Sequence, residues 1–298
     1  MRRWIKMMLI VFALLLIIVL GVAYWYLSKA LPIGTGYVAK YLCSNVFISQ
    51  RDPDVVFAED IKPVNPLAHI IKWRVDQKEK SVTASGLGFS STALFCPGRG
   101  CILVNGISDE ELTTRAYFQP FDRKTAVHDP NIDWPLGDGP PLNPAELGIN
   151  AKKLNTALDY AFSEPSPDRF RRTSAVLVAY DGHLIAERYA RGFTANTPVL
   201  GWSMTKSVTS ALVGVLVNKG LLNINDRAPV AEWSDPNDPR HQITLDQLLR
   251  MSSGLDFEEK YMPLYDATAM LYGAADFAAF AAAKPLKNRP DSVLSYSC

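Results

Sequence analysis

The sequence predicts an α/β fold of the α+β kind: a mostly antiparallel sheet flanked by helices, preceded by a transmembrane helix and a strand-rich extension. Three observations carry this. Met7–Leu27 runs for twenty-one residues without a charge. Between residues 150 and 219 the hydrophobic period changes from helical to alternating and back to helical. Asp181-Gly182 falls between the two alternating runs, where a two-residue hairpin turn needs residues that tolerate positive φ.

The elements follow in order. At ~1.5 Å per residue, the uncharged stretch is long enough to cross a hydrocarbon core of ~30 Å. Arg2, Arg3 and Lys6 precede it, which leaves the N-terminus in the cytoplasm and the rest of the chain outside. Tyr24, Trp25 and Tyr26 suit the far interface. A cleaved signal peptide is the alternative, with Ser28-Lys29-Ala30 as the cleavage site, although its apolar core would exceed the usual ~7–15 residues. Both readings export the remaining chain.

Export makes Cys43, Cys96, Cys101 and Cys298 candidates for disulfides. Cys96-Pro-Gly-Arg-Gly-Cys101 is a turn between strand-like runs. Cys101 can close a small loop with Cys96 or a larger one with Cys43, and spacing does not choose between them. Cys43 as a buried free thiol stays open, because free cysteine behaves as a small hydrophobe. None of the four has zinc-site spacing, and neither a metal nor a cofactor is called for.

Residues 36–127 lean towards strand, most clearly VTASGLGFSSTALF (82–95) and Cys101–Val104. Residues 129–146 hold five prolines and read as an extended linker. The division expected is therefore 1–30 for a cytoplasmic stub and membrane anchor, 31–128 for the extension, 129–146 for the linker and 147–298 for the domain that carries chemistry. Thirty-one basic against thirty acidic side chains, with no basic block, argues against a nucleic-acid partner.

In the last segment Asn150 is an N-cap for AKKLNTALDYAF, whose Leu154, Ala157, Leu158 and Ala161 follow helical spacing. TSAVLVAY (173–180) and HLIAERYA (183–190) form the hairpin. SMTKSVTSALVGVLVNK (203–219) is apolar or small nearly all round, with Gly220 at C′, and predicts a buried central helix. In ITLDQLLRMSSGL, Thr244 and Gln247 make a capping box and Gly254 stops a short helix, so Ser252-Ser253 reads as a helix end rather than a reactive pair. His69, His128, His183 and His241 are scattered. His183 and Glu187 lie four apart on a strand, not in a helical zinc motif, and none of the four histidines is given a catalytic role.

Gly201-Trp-Ser-Met-Thr-Lys-Ser207 carries the chemistry. A serine hydroxyl attacks a carbonyl only if a neighbouring group takes its proton. Ser203 and Lys206, three apart at a helix start, share one face. Ser203 as a plain helix cap with a solvated Lys206 is the structural alternative.

A helix, an Asp-Gly hairpin, Ser203-Met-Thr-Lys206 opening an apolar helix, then LLRMSSGL and Tyr296-Ser297, together resemble the serine β-lactamase and penicillin-binding-protein superfamily over roughly residues 145–298. The class C-like branch is the most similar, a branch that includes esterases, DD-peptidases and hydrolases of short amide oligomers. The resemblance implies a β-lactamase/transpeptidase-like fold and an acyl-enzyme mechanism. Ser203 would be the nucleophile, Lys206 the base, Tyr296 the proton shuttle, and the Ser203 N–H half of an oxyanion hole. Ser297 and Cys298 would contact substrate. Burial of Lys206 would disfavour its charged form.

Tyr296 could instead be an ordinary half-buried strand tyrosine. Cys298 stands where the family has Asn or Ser. The family's later strands, with a Lys/His-Ser/Thr-Gly triplet and the second oxyanion donor, would follow residue 298, and Gly34-Thr35-Gly36 is no substitute. On this reading the chain is part of a longer gene and would be inactive alone. The expectation is a single-pass protein of a bacterial inner membrane, its domain periplasmic or extracellular, acting on a small ester, amide or peptide-like substrate. The competing expectations are a non-catalytic binding module, and a membrane scaffold that works through residues 36–127.

Overall fold

A computed structural model describes residues 2–104, 106 and 129–297. Residues 107–128 of the expected extension, and Cys298, lie outside the described residues. The described chain divides into two compact units, one of 2–104, 106 and 200–297, the other of 129–199.

In the first unit helix α1 spans Arg2–Phe47. Its first part is apolar and exposed on every side from Trp4 to Tyr26, and from Ala30 onward it is buried on one face. The helix is long and apolar enough to cross a membrane. It also corrects the strand-leaning reading of the residues after 36, because α1 continues through Pro32, Gly34 and Gly36. Leu31, Thr35, Val38, Ala39 and Leu42 recur at helical spacing and face a sheet, and that packing outweighs weak local propensity. Helix α2 (Pro53–Val56) and a π-helical turn at Phe57–Ile61 follow.

The sheet is an antiparallel meander of β1 (Lys72–Asp76), β2 (Ser81–Gly86), β3 (Phe89–Cys96) and β4 (Gly100–Leu103). Alternation puts Val82, Ala84, Ala93 and Leu103 into one core with Val38 and Leu42 of α1. The Thr35 and Ser91 hydroxyls bond across this interface at 2.8 Å. A Cβ on Gly36 would stand 3.1 Å from the Tyr272 carbonyl oxygen, so this glycine lets another helix approach α1. Gly34-Thr35-Gly36 is thus occupied with packing.

Cys43 and Cys101 form a disulfide that ties α1 to β4, which resolves the pairing that spacing left open. Cys96 is free and buried, and burial pushes its thiol pKa up. Lys40 donates to the Cys101 carbonyl at 2.9 Å, and desolvation lowers the pKa of its ammonium.

The second unit holds helix α3 (Ala151–Phe162), whose N-cap Asn150 accepts from the Lys153 N–H, and the hairpin of β5 (Ala175–Tyr180) and β6 (His183–Tyr189). Asp181 and Gly182 both take positive φ, as the two-residue turn requires. The register shifts between Val178 and Ala179. The Pro-rich run before α3 is not extended as expected. The Asp129 carbonyl accepts from Asp138 and the Ile132 carbonyl from Gly139, so the run folds back on itself. The Leu142 N–H then bonds to Leu184 of the hairpin at 2.8 Å.

Helix α4 (Met204–Asn218) returns to the first unit. It ends in a Schellman motif, with Leu221 N–H to Leu216 and Gly220 N–H to Val217. The buried central helix expected here is corrected: no residue of α4 is buried, and Val208, Leu212 and Val215 are exposed. A helix apolar on every side needs a neighbour on every side, and the described residues do not supply them.

Helix α5 (Leu245–Leu249) opens with the expected capping box of Thr244 and Gln247. It stops earlier than expected. Met251, at φ 57°, is its C′ residue, and the Ser252 N–H reaches back to Gln247 at 2.8 Å. Gly254 serves a different purpose: a Cβ there would lie 2.3 Å from the Asn288 carbonyl oxygen. Helices α6 (Asp266–Gly273) and α7 (Phe277–Ala282) complete the unit, with Phe257, Ala267 and Met270 forming a small second core.

Candidate active site

Ser203 occupies the N-cap position of α4, yet its side chain makes no capping bond. Lys206 Nζ instead donates to Ser203 Oγ at 3.3 Å. This distance is at the long end for such a bond. The Ser203 side chain therefore does not cap the helix, and the Lys206 amine lies beside its hydroxyl.

The residue before Ser203 is held in an uncommon conformation. Trp202 has φ 42°, a region a bulky side chain enters only when its surroundings impose it. Thr205 imposes it here, its N–H and its hydroxyl both bonding the Trp202 carbonyl, at 3.0 and 2.6 Å. This fixes the peptide that carries Ser203. Strain at this position has no signature in the sequence beyond the neighbouring Gly201.

Tyr296 comes to the same place, for Lys206 Nζ lies 5.0 Å from the centroid of its ring, a cation–π contact. Ninety-three residues separate Ser203 from Tyr296 in sequence, and the structure brings them together through one shared amine. Tyr296 is half exposed and lies outside any strand. Lys206 is only partly buried. The desolvation expected for it from a buried helix is therefore not supplied by α4, whose surface is open to water.

Tyr296 owes its position to a clamp that sequence reasoning missed. The Ser295 N–H bonds the Met251 carbonyl at 2.8 Å, and the Asp291 N–H bonds the Ser252 carbonyl at 2.9 Å. The Asp291 carboxylate then accepts from Gln247 Nε2 (2.8 Å), Arg250 (2.8 Å) and the buried Ser252 hydroxyl (3.0 Å). Those bonds, Gln247's first and Ser252's next, hold the Asp291 carboxyl below the usual carboxylate range. The end of α5 and the strip before Tyr296 are thereby fastened together. Ser252 is a structural residue, as its helix-end reading implied. Asp291 could have been noticed only as a charge in the run before Tyr296.

Ser297, next to Tyr296, is partly buried, while Cys298 falls outside the described residues. Among the described residues no cluster of His, Cys, Asp or Glu has the geometry to hold a metal ion. His183 sits at the start of β6 in the second unit, and His241 bonds the Trp233 carbonyl.

Residues 160–297 match the family model described as Beta-lactamase. A search of curated proteins finds no match. The matched segment contains Ser203, Lys206 and Tyr296 and supports, for this part of the chain, the serine β-lactamase and penicillin-binding-protein superfamily.

Proposed function

We propose that this Beta-lactamase-family segment is the catalytic part of a membrane-anchored serine hydrolase that cleaves an ester or amide through an acyl-enzyme on Ser203. The observation that carries the reading is the Lys206–Ser203 contact at 3.3 Å, with the Tyr296 ring against the same amine. With the amine deprotonated, the hydrogen bond reverses. The Ser203 hydroxyl donates to Nζ, its oxygen attacks the substrate carbonyl, and the proton is held at Lys206. Tyr296 then passes a proton to the departing oxygen or nitrogen, and the acyl group stays on Ser203 until water releases it as the carboxylic acid.

Because Lys206 is only partly buried, the substrate has to complete the desolvation that favours its neutral form. The Ser203 N–H lies at the start of α4, where backbone N–H groups and the helix dipole favour a developing oxyanion. The class C-like branch is the assignment that the Tyr296-Ser297 pair supports. Anchoring rests on α1, with Arg3 and Lys6 before the span favouring a cytoplasmic N-terminus and an exported domain at a bacterial inner membrane. The disulfide fits an oxidising compartment.

A fluorophosphonate probe tests the reading on the protein. Covalent labelling lost in Ser203→Ala supports it, and undiminished labelling of that variant moves the nucleophile elsewhere. A non-catalytic binding module is the second reading, favoured by Cys298 where the family has Asn or Ser. It predicts no covalent labelling of the wild type.

A further inference from the structure

Where α1 leaves its exposed apolar span, the first unit contains a cavity of about 890 Å³. This is towards the upper end of the ~300–1,000 Å³ usual for small-molecule sites. Its walls include Tyr26, Ala30 and Ile33 of α1, Leu67, Met262 and Trp202. The amide and the hydroxyl of the wall's Asn65 and Thr268 are already used. Asn65 Oδ1 accepts from the Leu67 N–H, and the Thr268 hydroxyl donates to the Met262 carbonyl at 2.6 Å and to the Tyr265 carbonyl at 3.0 Å. The wall therefore offers mainly carbon, and its best occupant is an apolar chain.

Two features identify the source of that chain. One wall is the end of the helix segment that is exposed and apolar on all sides, so the cavity begins where a bilayer would end, beside Tyr26. Another wall is Trp202, the residue bonded to Ser203 and held at positive φ. An acyl chain drawn up from the outer surface of the membrane would lie along α1 and bring its carbonyl towards Ser203.

We propose that the cavity is an acyl-chain site, and that the substrate is a single-chain amphiphile whose ester is presented from the bilayer. The inference rests on Ser203 as nucleophile and adds the class of substrate. The Ser203 oxygen displaces the headgroup alcohol, which leaves with the proton from Lys206 by way of Tyr296. Water then releases the fatty acid and restores the hydroxyl.

The test uses the protein in nanodiscs. With p-nitrophenyl esters from acetate to decanoate, kcat/KM should rise by up to about fourfold per methylene. Val64→Trp and Met262→Trp, at exposed wall positions, should flatten that slope. Turnover with no dependence on chain length overturns the acyl site while leaving Ser203 in place. Absence of turnover at every length counts against the Ser203 reading instead. The cavity is then judged by a C16 lysophosphatidylcholine carrying a diazirine at its chain end, offered in vesicles. Cross-links at 64–67 and 261–268 that are lost in the Trp variants support the site. Cross-links confined to residues 4–26 overturn it.

Discussion

Asp291 shows how little of a site need be in its catalytic residues. It is exposed on one side, yet its carboxylate gathers Gln247, Arg250 and Ser252, and its own N–H reaches Ser252. Asp291→Ala should release the strip that carries Tyr296 and lower kcat by on the order of 10- to 100-fold, because small displacements of a reacting group are costly. KM should change much less, and a general loss of folding would instead show as a fall in active fraction. The same group gives a pH dependence. Hydrogen bonds from Gln247 and Ser252 depress the folded pKa of Asp291, and the bond from Arg240 holds Asp238 at about 2. A depressed carboxylate stabilises the fold above its unfolded value of ~3.9, and that contribution is lost as pH falls through the folded value. Thermal unfolding followed from pH 5 downwards should show the midpoint falling between about pH 4 and 2. Asp291→Asn should make that fall shallower.

At the scale of elements, helix α1 and the meander are held by a core and one covalent tie. The Cys43–Cys101 bond closes a separation of 58 residues. By the chain-entropy relation its loss costs about 4 kcal/mol, so a Cys43→Ala, Cys101→Ala double variant should unfold at markedly lower urea concentration. An unchanged midpoint would mean that the core alone sets the stability of this unit. Gly254→Ala is a second test. Its methyl would meet the Asn288 carbonyl at a backbone φ of 79°, at a cost of roughly 1–3 kcal/mol. The elements also divide by how legible they were. The hairpin, the Asn150 cap and the Thr244–Gln247 box depend on residues within a few positions of one another, and all three were readable. Helix α1 beyond residue 30 was not, because Pro32, Gly34 and Gly36 argue locally against a helix that the sheet beneath them stabilises. The end of α5 was misplaced for a related reason, since Met251 adopts the left-handed conformation usually left to glycine.

Across the whole molecule, the pair Ser203 and Lys206 was legible because helical spacing alone makes them neighbours. Tyr296 was legible only through a family pattern, and the clamp that places it depends on contacts some forty residues apart, which no local rule reveals. The partner of Cys43 was equally a matter of tertiary geometry. The apolar stretch of α1 was plain from composition, and the orientation proposed for it makes a separate prediction. Protease added to cells with a permeabilised outer layer should remove the domain, whereas protection would place it in the cytoplasm.

The central claim is an acyl group carried on Ser203. Intact-mass measurement of the protein, acid-quenched during turnover of a p-nitrophenyl ester, addresses it most directly. The account predicts a population heavier by the acyl group, with the added mass on the peptide containing Gly201–Ser207 and absent in Ser203→Ala. Turnover without that adduct, or an adduct on another residue that survives in Ser203→Ala, would contradict it.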